Sequence, residues 1–232
     1  MTIESEIRAY LGDAREHHRY RSWEHCYGYF QRATPGGLTA DRDQAALQLG
    51  FYLASWGMYR GSSFLLQHAY TVHLGAVDVL AEERFRDLWA CDFGARTADA
   101  VLSPLVCELV RGIRDAYRPF APAAGSTQPT DTLISKVILG TLGCLPACDR
   151  YFIDGFRTAD QRFSSLNLAF IERMFCFCQE SLPALTAEQS RIARDGGVFY
   201  PLMKLADMYF WQLGFDREVE TSSHSSTQRA AD

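Results

Sequence analysis

Lysine is almost missing from this chain. Of its 23 basic residues only Lys136 and Lys204 are lysines, which leaves 21 arginines. Both fall inside apolar helical patterns, where a compact ammonium with a shiftable pKa differs physically from a guanidinium, unless they simply snorkel from helix flanks. Long hydrophobic runs are missing as well. Arg, Asp or His interrupts every stretch before it reaches the roughly 20 residues that a bilayer demands, which excludes a membrane-spanning helix. The start, MTIESEIRAY, carries acids where a secretory leader would carry positive charge, so a cytoplasmic protein is expected. Alternating strand patterns are absent, and so are the CxxC, HxxxH and GxSxG spacings. No metal and no cofactor is therefore expected. The seven cysteines sit mostly in apolar helical patterns, as small hydrophobes do in a reducing compartment.

What is present describes a globular helical chain. Its 232 residues are 47% hydrophobic and 22% charged, enough to bury roughly 70% of the unfolded surface without staples. A net charge of -5 and a pI near 5.7 exclude a bulk nucleic-acid binder but leave room for a local basic patch. The expected fold is all-α: a compact multi-helix domain over 1–217, with a polar, disordered tail over 218–232. The stretch PFAPAAGSTQP at 119–129 is the one clear linker, dividing possible lobes 1–118 and 130–217.

Along the chain, Tyr20, Trp23, Tyr27 and Phe30 mark one buried stripe of an opening helix, and ATPGGL at 33–38 predicts a loop. The crowded Arg15, His17, His18, Arg19 and Arg21 predict a solvated basic turn. A central helix over about 41–60 is apolar on nearly every side and should run through the core. There Gly50, Ala54, Gly57 and Gly61 form a groove for a neighbouring helix. After it, Arg60-Gly61-Ser62-Ser63 ends one helix and begins another. That junction is either a plain pair of caps or a phosphate seat made of Arg60, Ser62 and Ser63. Trp23, Trp56, Tyr59 and Trp211 could line an aromatic pocket.

Residues 133–152, LISKVILGTLGCLPACDRYF, predict an αα-hairpin extending to about 157. Leu139, Leu142, Gly143 and Ala147 repeat the spacing of the helix-hairpin-helix DNA repair proteins, and the segment resembles the glycosylase branch of that family. The resemblance implies that Gly140 and Gly143, beside Arg150, offer backbone N–H groups to a DNA phosphate. It also implies a carboxylate that activates water or stabilises a sugar cation, placed at Asp149 or at Asp160, which comes 17 residues after Gly143. Lys136 is a candidate catalytic lysine, although it lies a helix turn earlier than the family's. The rest of the chain resembles a bacterial protein family of unknown function. Three readings result: a DNA-contacting, glycosylase-like protein; a non-catalytic helical scaffold; and a helical pocket protein that binds a small phosphate-bearing ligand, with Lys136 or Lys204 near Arg60. Burial of the hairpin would remove the first, and convergence of Arg60, Lys136 and Lys204 on one cavity would favour the third.

Overall fold

The computed structural model describes residues 2–12, 18–89, 91–121, 129–159, 161–195 and 198–229, and of 34 and 222–229 the backbone alone. Helix α1 (Ile3–Gly12) is followed by α2 (Arg21–Ala40), α3 (Arg42–Ser55), α4 (Leu74–Leu80), α5 (Arg86–Trp89) and α6 (Ser103–Tyr117). The second half contributes α7 (Asp131–Thr141), α8 (Arg150–Thr158), α9 (Leu168–Glu180), α10 (Leu182–Arg194) and α11 (Leu202–Arg229). Short 3-10 turns join several of them, and the described residues contain no strand. The all-α expectation is met. Among the described residues, no helix is long and apolar enough to cross a membrane.

Local sequence explains most boundaries. Thr130, Asp149 and Asn167 cap α7, α8 and α9 by accepting from the third residue on, at Leu133, Phe152 and Phe170. Pro104 lies in the first turn of α6, where its missing N–H is harmless. Elsewhere the local signals were overridden. The Pro-Gly-Gly stretch expected as a loop is carried inside α2, with Pro35 within the helix. Helix α3 stops at Ser55 rather than near 60, and it is less enclosed than its composition implies: Phe51 is 63% exposed. Gly50 opposes Tyr70 and His73 of a 3-10 turn, not another long helix. Helix α11 runs on through the polar segment that begins at 218, as far as Arg229.

Two helices of the second half meet backbone to backbone. A Cβ on Gly155 of α8 would strike the Phe210 carbonyl of α11, and one on Gly214 would strike the Tyr151 carbonyl. Two small residues thus set the closest approach available to a helix pair. Phe152, Phe156, Phe170 and Phe210 fill the space beside that contact, with the Phe156 and Phe210 centroids 5.1 Å apart and nearly perpendicular. Burying each ring contributes about 1.5–3 kcal/mol, and each edge-to-face pair adds about 0.5–1.5 kcal/mol. The consequence for function is positional. The first turn of α8 and the middle of α11 are held rigidly against each other, beside α7.

Candidate functional site

The glycine hairpin between α7 and α8 faces inward. Gly143 ends α7 in the left-handed region, φ 68°, and donates its N–H to Ile138 at 2.9 Å, an ordinary glycine stop. A Cβ there would lie 2.6 Å from Pro201 Cγ, and one on Gly140 would collide with the Tyr52 ring. Several other polar groups of the bend are answered by the protein itself. Ala147 N–H donates to Asp207 Oδ1 at 2.9 Å and Cys148 N–H to Ser135 Oγ at 2.8 Å. The Leu139 carbonyl accepts from Trp23 Nε1, and the Cys148 carbonyl from Thr132 Oγ1. Gly140 and Gly143 therefore do not form the outward phosphate seat expected of them; both are buried, where no DNA backbone reaches them.

The same bend brings Lys136 and Asp149 together. Lys136 lies midway along α7, and Asp149 caps α8 eight residues after α7 ends. Their charged atoms are 3.3 Å apart. Asp149 Oδ1 accepts from Phe152 N–H at 3.2 Å, and Oδ2 faces the lysine. Lys136 is 5% exposed and gives a hydrogen bond to the Trp56 carbonyl at 3.3 Å. One of its three ammonium donors is thereby engaged, and the ion pair with Asp149 holds the charge beside it. Asp160, the other candidate carboxylate, lies outside the described residues.

Around this pair stands a cavity of about 360 Å³. Among the described residues, Arg19, Arg60, Lys136 and Arg150 line it, with Asp149 as the single carboxylate, and Trp56, Tyr151 and Trp211 supply rings. Each cation arrives on a different segment: the turn before α2, the turn after α3, α7 and α8. The Arg19 guanidinium lies 5.6 Å from the Trp56 ring centre and 5.7 Å from that of Tyr20, and Tyr20 stacks on Trp56 at 5.3 Å. Arg150 covers Tyr151 at 4.6 Å and reaches Glu218 of α11 at 2.8 Å. That Glu218 contact, exposed on both sides, is a weak surface pair and competes little for the arginine. The Trp56 indole N–H is buried and finds no acceptor among the described residues.

Arg60 owes its place to Gly57. This residue sits at φ 73°, and Arg60 folds back so closely that its Nε would lie 2.8 Å from a Cβ there. Only a glycine leaves that space and accepts that backbone. Beyond Arg60 the cavity adjoins a second one of about 460 Å³, bounded by Met58, Phe64, Leu133 and the Gly61-Ser62-Ser63 turn. Ser63 there is a cap, its Oγ accepting from Leu65 N–H at 3.3 Å at the head of a short 3-10 turn. Ser62 is exposed. Of the expected phosphate seat, Arg60 alone faces the cationic cavity; the serines belong to its neighbour.

Behind the cavity, Lys204 and Asp207 form a second pair at 2.8 Å, one turn apart on α11. Tyr10 accepts a further bond from Lys204 at 3.3 Å, and the rings of Tyr10, Trp23 and Trp56 lie 5.0–5.7 Å from its Nζ. Burial pushes the Asp207 carboxyl up, and Lys204 draws it back down. A void of about 10 Å³ separates this pair from Lys136 and Asp149, with Trp56 and Trp211 as its other walls. Asp207 went unpredicted. The available signal was LysXXAsp spacing inside the otherwise apolar segment YPLMKLADMYF, two charges one turn apart that an interior can accept only as partners. Arg15 and His17 of the expected solvated turn lie outside the described residues; Arg19 is exposed, as that turn requires, and also lines the cavity.

Burial raises the thiols of Cys26, Cys144, Cys148 and Cys178, which keeps them protonated and inert. All seven cysteines are unbridged, and the described residues hold no cluster of metal-ligating side chains. No family model, curated protein or solved structure matches the chain.

Proposed function

We propose that this chain is a helical pocket protein that binds a small phosphate-bearing molecule in the cavity between Arg19, Arg60, Lys136 and Arg150. One observation carries the reading: four cationic side chains from four segments converge on one cavity with a single carboxylate in its lining among the described residues. That carboxylate is already committed to Lys136 and to the α8 cap, so the cavity keeps an excess of positive charge. An anion restores the balance, and charge-assisted hydrogen bonds to it contribute about 1.5–3 kcal/mol each. The ammonium donors of Lys136 that the Trp56 carbonyl does not take add directed partners for phosphate oxygens. The inward hairpin supports this reading over a DNA contact, because its amides serve its own protein.

Isothermal titration of the full chain with inorganic phosphate at low salt tests it. A Kd at or below about 1 mM, weakening as salt rises, is expected. Arg60→Ala should weaken it at least tenfold while leaving the fold intact, since Arg60 is exposed. No measurable phosphate binding would overturn the reading. So would a single-stranded or duplex oligonucleotide that binds tightly with a steep salt slope and is indifferent to Arg60→Ala, because its phosphates would then be held elsewhere.

A further inference from the structure

The second cavity narrows the class of ligand. The two spaces share the Gly57, Met58 and Arg60 wall, so a molecule seated in one extends naturally into the other. Their chemistry differs. Among the described residues, the first holds four cations and a carboxylate, whereas the second contains no carboxylate and no cation besides the shared Arg60. Its floor is Leu133, at 2% exposure, and its sides are Met58 and Phe64. Phe64 is fixed by edge contacts to Tyr117 and His68, with centroids 6.3 Å away in both cases. Arg60 is thus a gatepost: its guanidinium can hold a charged head on one side while an uncharged body lies against apolar side chains on the other.

We infer that the ligand is bipartite, a phosphate monoester whose alcohol part is small and predominantly apolar, with the phosphate in the first cavity and the apolar body in the second. This rests on the phosphate reading above and goes beyond it. A free phosphate, sulfate or carboxylate would leave the second cavity filled with water against Leu133, Met58 and Phe64. A sugar-like body dense in hydroxyls would find few partners there apart from Thr130, the exposed Ser62 and the half-buried Ser63. Removing an apolar body from water adds affinity in proportion to the area hidden, which for most of a phenyl ring amounts to about tenfold in Kd.

The experiment compares inorganic phosphate, phenyl phosphate and phenol by titration on the full chain, alongside sedimentation with vesicles containing phosphatidic acid. Phenyl phosphate should bind about tenfold more tightly than inorganic phosphate, and phenol alone only weakly. Ser62→Trp, at an exposed position on the rim, places a large ring in the second cavity and should bring the ratio of the two phosphate affinities toward unity. Equal affinities in the unaltered chain, with phosphate binding intact, would overturn the bipartite inference and leave the pocket reading standing. Loss of binding to inorganic phosphate and its ester alike would remove both. Binding to the vesicles without binding to phenyl phosphate would also overturn the inference, since the apolar part recognised would then be a lipid chain at a membrane surface.

Discussion

The protein's two lysines make two ion pairs that are alike in chemistry and unlike in access. Lys136 and Lys204 both lie over Trp56, at 5.6 and 5.7 Å from its ring centre, and both face an aspartate. Lys204 and Asp207 are enclosed. Their oxygens and nitrogen are shared among Tyr10, the Ala147 amide and each other, and the void beside them is about the size of a single water. Lys136 and Asp149 touch that same void from its other side but open onto the large cationic cavity. A buried ion pair is weak evidence for stability when its charges have been fully desolvated. What the contrast teaches is that the inner pair is a structural tie between α11 and the hairpin, whereas the outer pair keeps an ammonium available to a ligand.

Breaking the inner pair should therefore produce the largest effect. Lys204→Met leaves the Asp207 carboxylate uncompensated in the interior and should cost about 3–5 kcal/mol in urea denaturation. The double variant Lys204→Met, Asp207→Leu should recover much of that loss, because no lone charge remains, although the Ala147 amide then loses its acceptor. Lys136→Met should cost less than half as much, since Asp149 retains the α8 cap and access to the cavity. Its larger consequence should be in binding, with phosphate affinity reduced at least tenfold. Equal stability losses for the two lysine variants would erase the distinction between them.

Acid extends the enclosed side of the comparison to a third group. His73 is fully buried, with Tyr59 Oη 2.7 Å from Nε2 and Tyr117 Oη 2.7 Å from Nδ1. Burial lowers its pKa to about 4. The unfolded chain, with a pKa near 6.5, binds the proton more readily, so the stability His73 contributes is complete above pH 6.5 and is lost as pH falls toward 4. The loss should approach about 3 kcal/mol. Urea midpoints measured from pH 7 to pH 4 should fall for the native protein and fall less for His73→Gln. A slope unchanged by that substitution would assign the acid sensitivity to other groups.

Much of the helical class was legible because apolar periodicity acts locally: Trp23, Tyr27 and Phe30, spaced as one buried stripe, are all buried on α2. The two lysines also stood out, since an arginine-rich composition made an ammonium in an apolar helix conspicuous. What the residues alone could not disclose was direction. LGTLG reads as a glycine bend whether its amides point outward or inward, and only Pro201, Tyr27 and Tyr52, distant in sequence, decide that they point in. Pro35 and its two following glycines would end an isolated helix, yet α2 continues past them to Ala40, with Leu38 fully buried. Burying that leucine, worth about 1.5–3 kcal/mol, offsets part of a propensity cost of about 3 kcal/mol for proline and about 1 kcal/mol for each glycine. Arg19 escaped for the same reason: its partner Trp56 is remote in sequence, and no spacing rule links them.

The smallest effect gives the sharpest test of the open side. Gly57 and Gly61 flank Arg60 and share the left-handed backbone, at φ 73° and 62°. Alanine at either position should cost about 1–2 kcal/mol of stability, because a Cβ disfavours that conformation. Their surroundings separate them. A Cβ at Gly57 would meet Arg60 Nε at 2.8 Å, while one at Gly61 meets nothing within 4 Å. Gly57→Ala should consequently displace the guanidinium and weaken phosphate binding by about threefold to tenfold, whereas Gly61→Ala should lose similar stability with phosphate affinity within about twofold of the parent. Since backbone strain is common to both, a difference in binding isolates the position of Arg60. Equal binding losses would mean that the turn as a whole, rather than a guanidinium held over Gly57, governs the cavity, and Lys136 would then be the principal anion contact on that wall.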